Sequence, residues 1–218
     1  MVGGLYMTEI YLIRHSEKFR DVINVVNDDS FQLCNEKIIL SVNGEILANK
    51  LSNMSEMQGI DAVFASNYVR AIGTAKYIAY RNNTDIKILK DFGERVYGIN
   101  GLNEMVSYFE KLQWDDIDYK LSNGESRREV TDRMYKAIGM VLNDYRNKRV
   151  CIVSHGTAIS FLLSKWCDVS LSYNDNKIDT RIVFNGKVIF DGNFPAPLVF
   201  KLVFDNDRIV SVENINIH

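Results

Sequence analysis

The chain has 218 residues, of which 46% are hydrophobic and 25% charged, and a formal net charge of -2. That composition suits a globular protein whose core is large enough to need no disulfide staple. It excludes a general electrostatic attraction to nucleic acid or to an anionic membrane surface, so any positive site has to be local. The three cysteines, Cys34, Cys151 and Cys167, form no C-x-x-C pair, as expected of reduced thiols in a cytoplasmic protein.

The opening MVGGLYMTEIYLIRH has no basic leader region, and its apolar run stops at Arg14. Neither a signal peptide nor a membrane span is expected there, and Met7 offers an alternative start. In chain order, short apolar runs predict strands at Glu9–Ile13, Ala62–Ala65, Ile86–Leu89 and Val150–Ser154, the pattern of strands covered on both faces. Helical spacing predicts helices over Gly44–Met57, Tyr68–Tyr80, Ser126–Tyr145 and Thr157–Trp166. The approach SNGESRREV carries capping residues and early acids. Near the end, TRIVFNGKVIF reads as a hairpin turning at Asn185-Gly186, and LVFKLVFDNDRIVSV as a second strand–turn–strand. The prolines are confined to Pro195 and Pro197, and no linker or repeat interrupts the chain. The expectation is one domain over 1–218: a three-layer α/β/α fold with a mostly parallel central sheet and antiparallel strands at its C-terminal end. Ligands of such sheets sit at the carboxyl ends of the strands.

Those ends carry unusual residues. His15 follows the first strand and His155, in VCIVSHGTAIS, follows another; the remaining histidine is the terminal His218. DAVFASNYVRAIGTA turns at Ser66-Asn67 and presents Arg70 in the first turn of a helix, toward the edge that Arg14 occupies. Two converging arginines repel unless an anion lies between them, and phosphate matches their planar donor forks. Helix N-termini near Ser66 and Thr157 would add backbone donors. A neutral imidazole beside bound phosphate is a nucleophile, and Glu94, in KDFGERVYG, is a candidate to protonate the leaving alkoxide.

Together these stretches resemble the histidine phosphatase superfamily, the phosphoglycerate mutase-like proteins. LIRHSE is similar to its Arg-His-Gly signature with Ser16 in place of glycine. LSVNGEILANKL, ASNYVRAIGTA, GERVYG, NGES and VSHG resemble its later motifs in order, over roughly Ile10 to Ile159. The resemblance implies His15 as nucleophile, Glu94 as general acid/base, and Arg14, Arg70 and His155 around the phosphate, with no metal or other cofactor. Ser16 could donate its hydroxyl to the phosphate. Lys18-Phe19-Arg20-Asp21 stand where the mutase branch has a hydroxyl residue and a Trp-Asn pair, and Gly101–Asn123 is short for that branch. GERVYGINGLNEM, in contrast, is close to the mutase form. Phosphatase is therefore favoured, with a mutase and a non-catalytic phospho-ligand binding module as alternatives, and a small phosphorylated molecule as the partner.

Other phosphate chemistries lack their residues. No cysteine stands six positions before an arginine, since Leu40, Thr157 and Tyr173 occupy those places; IVSHG is not G-x-S-x-G; and GxxxxGK is absent. Phe19–Ile38 and Gly93–Asn123 are expected to cap the pocket, with Lys18, Arg20, Arg95, Tyr97 and Tyr108 as candidate substrate contacts.

Overall fold

The computed structural model describes residues 7–19, 30–174 and 177–217. The elements in order are β1 (Thr8–Arg14), α1 (Phe31–Lys37), α2 (Val42–Ser52), β2 (Ala62–Ala65), α3 (Val69–Arg81), β3 (Ile86–Ile88), α4 (Phe109–Asp115) and α5 (Arg127–Asp144). They continue with β4 (Arg149–Ser154), α6 (Gly156–Leu163), β5 (Asp168–Asn174), β6 (Lys177–Phe184), β7 (Lys187–Gly192), β8 (Leu198–Asp205) and β9 (Arg208–Ile215).

The main sheet has the order β3-β2-β4-β1-β8-β9. Its first four strands are parallel, while β8 adds antiparallel to β1 and β9 antiparallel to β8. Strand β1 is apolar on both faces because helices cover both. Ile10 and Leu12 pack with Phe64, Ile152 and the Val130, Met134 and Ile138 stripe of α5. Tyr11 and Ile13 face Val63, Cys151 and the Ala71, Ala75 and Ile78 stripe of α3. Each large aliphatic or aromatic side chain sequestered this way contributes about 1.5–3 kcal/mol. Helix α5 begins as its sequence predicts, with a capping box in which Ser126 and Glu129 satisfy each other's backbone N–H groups.

Register places the site. Arg14 lies opposite Ser154 of β4, and Ala65 opposite Val153. The ladder runs one residue further: His15 N–H donates to the Ser154 carbonyl at 2.9 Å and Ser66 N–H to the Val153 carbonyl at 3.1 Å. The ends of β1, β2 and β4 are thereby fixed side by side.

The loop after β1 is held by α2. Ser41 N–H donates to the Glu17 carbonyl, and a Cβ on Gly44 would lie 2.0 Å from that same oxygen. This close approach explains the serine and glycine of LSVNGE in physical terms.

Several boundaries and one placement differ from expectation. The helix expected over Gly44–Met57 ends at Ser52, and a separate 3-10 turn covers Ser55–Met57. Helix α6 stops at Leu163 rather than Trp166. The Asn185-Gly186 hairpin does form, both residues having positive φ (49° and 77°) as a type I′ turn requires. It does not extend the main sheet, however, but pairs with β5 in a separate antiparallel sheet, β5-β6-β7. The two sheets join through side chains, with Phe190 and Phe194 packed against Phe200 of β8. The cysteines are free thiols. Among the described residues no helix is long and apolar enough to cross a membrane, and no cluster of side chains could hold a metal ion.

Two glycines give opposite expectations. Gly44→Ala should lower unfolding stability by roughly 3 kcal/mol, because the new methyl meets backbone that cannot swing away. Gly139→Ala, in α5 with nothing within 4 Å of the new methyl, should raise it by about 0.5–1 kcal/mol. Denaturant titration of both variants checks the pair, and equal effects would contradict the tight contact.

Candidate active site

His15 is buried at the tip of β1. Its Nδ1 lies 2.7 Å from the Ser16 carbonyl and Nε2 accepts from Arg70 Nε at 3.1 Å. A carbonyl can only accept, so Nδ1 carries the proton and Nε2 keeps the lone pair. Burial, then the neighbouring Arg70 cation, hold its pKa well below the ordinary histidine value, while the Ser16 carbonyl acts in the opposite sense. The ring is therefore neutral, with the lone pair of Nε2 against the guanidinium.

His155 is fully buried, its ring centroid 5.1 Å from that of His15. Its Nε2 is 2.8 Å from Ser66 Oγ, and its buried Nδ1 has no partner among the described residues. In the tautomer in which Ser66 donates, this Nδ1 is a free N–H. Burial and then His15 and Arg70 push its pKa down.

Both arginines are held by backbone carbonyls. Arg14 Nη1 donates to the carbonyls of Phe194 and Pro195, and its buried Nε has no partner. Arg70 Nη1 donates to the Asn35 carbonyl at 2.6 Å, and its guanidinium stacks on Tyr68. Burial lowers the pKa of each, opposed first by Glu94 in both cases and, for Arg14, also by Glu110.

Glu94 stands between the two halves of the site. Its Oε1 accepts from the N–H groups of Arg95 and Ala158, each at 3.0 Å, the latter in the first turn of α6. Its loop is clamped from α5: Arg133 donates to the carbonyls of Asp91, Gly93 and Glu94 and pairs with Glu125. Glu125 in turn accepts from Val96 N–H. The NGES stretch thus positions the acidic loop as well as starting a helix.

These groups surround a cavity of about 280 Å³. Arg14, His15, Arg70, Glu94, Gly156 and Thr157 line it, and so do Lys18 and Tyr97. His155, beside His15, is not itself part of the lining. Asn35, Glu110, Ser160, Ile178, Thr180, Asn193 and Phe194 complete the wall. None of these was singled out in advance, although Asn35 and Glu110 fall within the segments expected over the pocket; no local pattern places β6 or the segment after β7 over the end of β1.

Three expected contacts are corrected. Ser16 is fully buried, with its hydroxyl on the Gly44 carbonyl at 2.8 Å and its N–H on Thr74 Oγ1, so its side chain does not point at the cavity. Arg95 is also buried: it bonds Gln113 and Glu110 and lies among the rings of Tyr97, Phe109 and Phe161. Tyr108 is 73% exposed at the start of α4, away from the cavity. Arg20 lies outside the described residues.

An α/β sheet edge bearing two buried histidines and two carbonyl-held arginines narrows the class considerably. A sequence model of the histidine phosphatase superfamily, branch 1, matches residues 10–181, and the chain belongs to that superfamily. It is 31% identical over 161 residues to the protein named uncharacterized phosphatase PhoE of Bacillus subtilis (strain 168), covering 73% of this chain and 77% of that one. It is 26% identical over 165 residues to the protein named probable phosphoglycerate mutase GpmB of Salmonella newport (strain SL254), covering 72% and 74%. The fold is shared with mycobacterial glucosyl-3-phosphoglycerate phosphatase, at TM-score 0.67 and 14% identity over 95% of this chain and 97% of that one. It is also shared with the phosphoserine phosphatase of Entamoeba histolytica crystallised with 3-phosphoglyceric acid, at TM-score 0.59 and 20% identity over 97% and 99%.

Replacing Ser16 separates anchoring from ligand contact. Ser16→Ala should cost about 1 kcal/mol of stability through the lost bond to Gly44. The inhibition constant of vanadate or phosphate should stay within about twofold, since a lost charge-assisted contact would weaken binding tenfold or more. A tenfold loss would put the hydroxyl on the ligand.

Proposed function

We propose that the chain hydrolyses small phosphomonoesters through a phosphohistidine at His15. The single observation that carries this reading is the His15 ring: proton fixed on Nδ1 by the Ser16 carbonyl, lone pair on Nε2 beside an arginine. When a phosphoryl group enters, the Arg70 N–H transfers from Nε2 to a phosphoryl oxygen, and the nucleophile is released at the place where the charge must be held. Nε2 attacks phosphorus and the bond to the ester oxygen breaks. Arg14 and Arg70 take the charge on the equatorial oxygens, with the Nδ1–H of His155 and Thr157 at the α6 N-terminus adding to the same field. Glu94 gives its proton to the departing alkoxide. It then takes one from the water that attacks the phosphohistidine, which returns neutral His15, inorganic phosphate and protonated Glu94.

Similarity to proteins named phosphatase supports hydrolysis, and similarity to the protein named phosphoglycerate mutase keeps isomerisation as the second reading. Incubation with 3-phosphoglycerate, with and without 2,3-bisphosphoglycerate, separates them, since isomer formed faster than phosphate would favour the mutase.

His15→Ala should lower phosphate release by at least about 10³-fold, as loss of a covalent nucleophile does. Phosphoenzyme trapped by a denaturing quench at high pH should be acid-labile and alkali-stable, and the reverse would exclude a phosphoramidate. Because the His15 pKa is depressed, its neutral fraction persists as pH falls through the ordinary value of about 6.5. The acidic limb of kcat/KM should therefore lie below that value, and a limb at or above it would contradict a buried, cation-flanked nucleophile.

A further inference from the structure

Arg70 is a buried cation whose hydrogen bonds to described residues go to His15 and to the Asn35 carbonyl, so its orientation has to be held without a paired acid. The bond from Nε to His15 Nε2, at 3.1 Å, is given up when a phosphoryl group arrives. What then remains is Nη1 on the Asn35 carbonyl. One carbonyl fixes a point on the guanidinium and leaves its plane free to turn about that point. The face of the Tyr68 ring, its centroid 4.6 Å from Arg70 Cζ, sets the plane.

Tyr68 stands one residue before α3 and is buried. Burial pushes its hydroxyl pKa up, so the side chain is neutral. It supports the cation through the negative face of its π system, not through an anion that would compete with phosphate. The same ring lies 4.4 Å, centroid to centroid, from His155. Its Oη accepts from Gln32 Nε2 at 2.8 Å, and Gln32 precedes Asn35 by one turn of α1. The contacts therefore close on themselves. The ring carries Arg70, Arg70 bonds the Asn35 carbonyl, and α1 returns through Gln32 to the Tyr68 hydroxyl.

We infer that Tyr68 is a positioning residue, whose ring holds the Arg70 guanidinium in the plane from which it serves first His15 and then the phosphoryl group. This rests on the phosphomonoesterase reading above. The charged and titratable groups around His15 are Arg14 from β1, Lys18 from the loop that follows, Arg70 from α3, His155 from the end of β4 and Glu94 from the acidic loop. Burial first and then Arg70 keep the His15 ring unprotonated, with Arg14 and Lys18 acting in the same sense and the Ser16 carbonyl in the opposite one. Of these groups, Arg70 and the neutral His155 touch Tyr68. Removing the ring thus loosens one cation and leaves Arg14 and Lys18 in place, and His15 becomes easier to protonate.

The test follows kcat/KM for p-nitrophenyl phosphate across pH with the purified full chain, Tyr68→Phe and Tyr68→Leu, a common substrate cancelling its own ionisation. Tyr68→Phe keeps the ring and should stay within about threefold of wild type, its acidic limb unmoved. Tyr68→Leu should lose about tenfold or more, and its acidic limb should move to higher pH, while the far-UV spectrum and melting temperature confirm folding. Wild-type activity in folded Tyr68→Leu overturns the inference and leaves the phosphatase reading intact. No phosphate release from the wild type overturns both. A loss in Tyr68→Phe equal to that in Tyr68→Leu overturns the ring as the support. A loss in Tyr68→Leu with no movement of the limb overturns the link to Arg70 and makes Tyr68 a packing residue. Should Tyr68→Leu fail to fold, pentafluorophenylalanine in place of Tyr68 keeps a ring and removes the negative charge from its face. The same loss and shift then support the inference, and a match to Tyr68→Phe overturns it.

Discussion

Two guanidinium groups held by carbonyls rather than carboxylates are the constraint on which this site depends. A buried cation is costly, and the usual remedy is a directly paired acid. Here Arg14 leans on the carbonyls of Phe194 and Pro195, and Arg70 on that of Asn35. Carbonyl dipoles fix the direction of each fork and offset part of the desolvation without cancelling the charge. Glu94 and Glu110 act on Arg14 only through space. What remains is a positive centre whose geometry is settled before any anion arrives, which is the condition for electrostatic preorganisation.

The histidines inherit their properties from the same centre. The cations and the burial that would attract phosphate are what keep both imidazoles neutral. Their orientation comes from the sheet. Ladder hydrogen bonds continue past β1 and β2 into His15 and Ser66, and Ser66 reaches His155 from the end of β2. Thr74 ties Ser16 N–H to the carbonyl of Arg70, so a single threonine of α3 couples the His15 loop to the arginine beside it. Arg133 performs the equivalent task for the acidic loop from the opposite layer.

Much of this was legible in the sequence because it is local. Apolar runs ending in Arg14-His15, Ser66 and Ser154-His155 locate strand ends, and strand ends of a parallel sheet locate the site. The capping box at Ser126 and the positive-φ turn at Asn185-Gly186 are encoded within a few residues. What could not be read was tertiary. Arg95 looks like a loop cation, yet it lies in a cage of rings contributed by three separate segments. Ser16 looks like a ligand donor until Gly44 is brought beneath it from another element. The hairpin after α6 was recognisable as a hairpin, but its membership of a separate sheet depends on where β5 packs. Glu110, Thr180 and Asn193 come together only through that packing.

The separate sheet also has a bearing on how such a protein can diversify. Among the described residues, strands β5, β6 and β7 take ladder bonds from one another, and they meet the main sheet through apolar packing, Ile182 in the shared core and Phe190 and Phe194 on Phe200. Interfaces of that kind tolerate volume-conserving exchange far better than a change of strand register. Residues facing the cavity from β6 can thus drift among relatives while the ladder that holds His15 and Ser66 stays unaltered. The fold separates a ladder-held pair of histidines from a wall that can change without disturbing them.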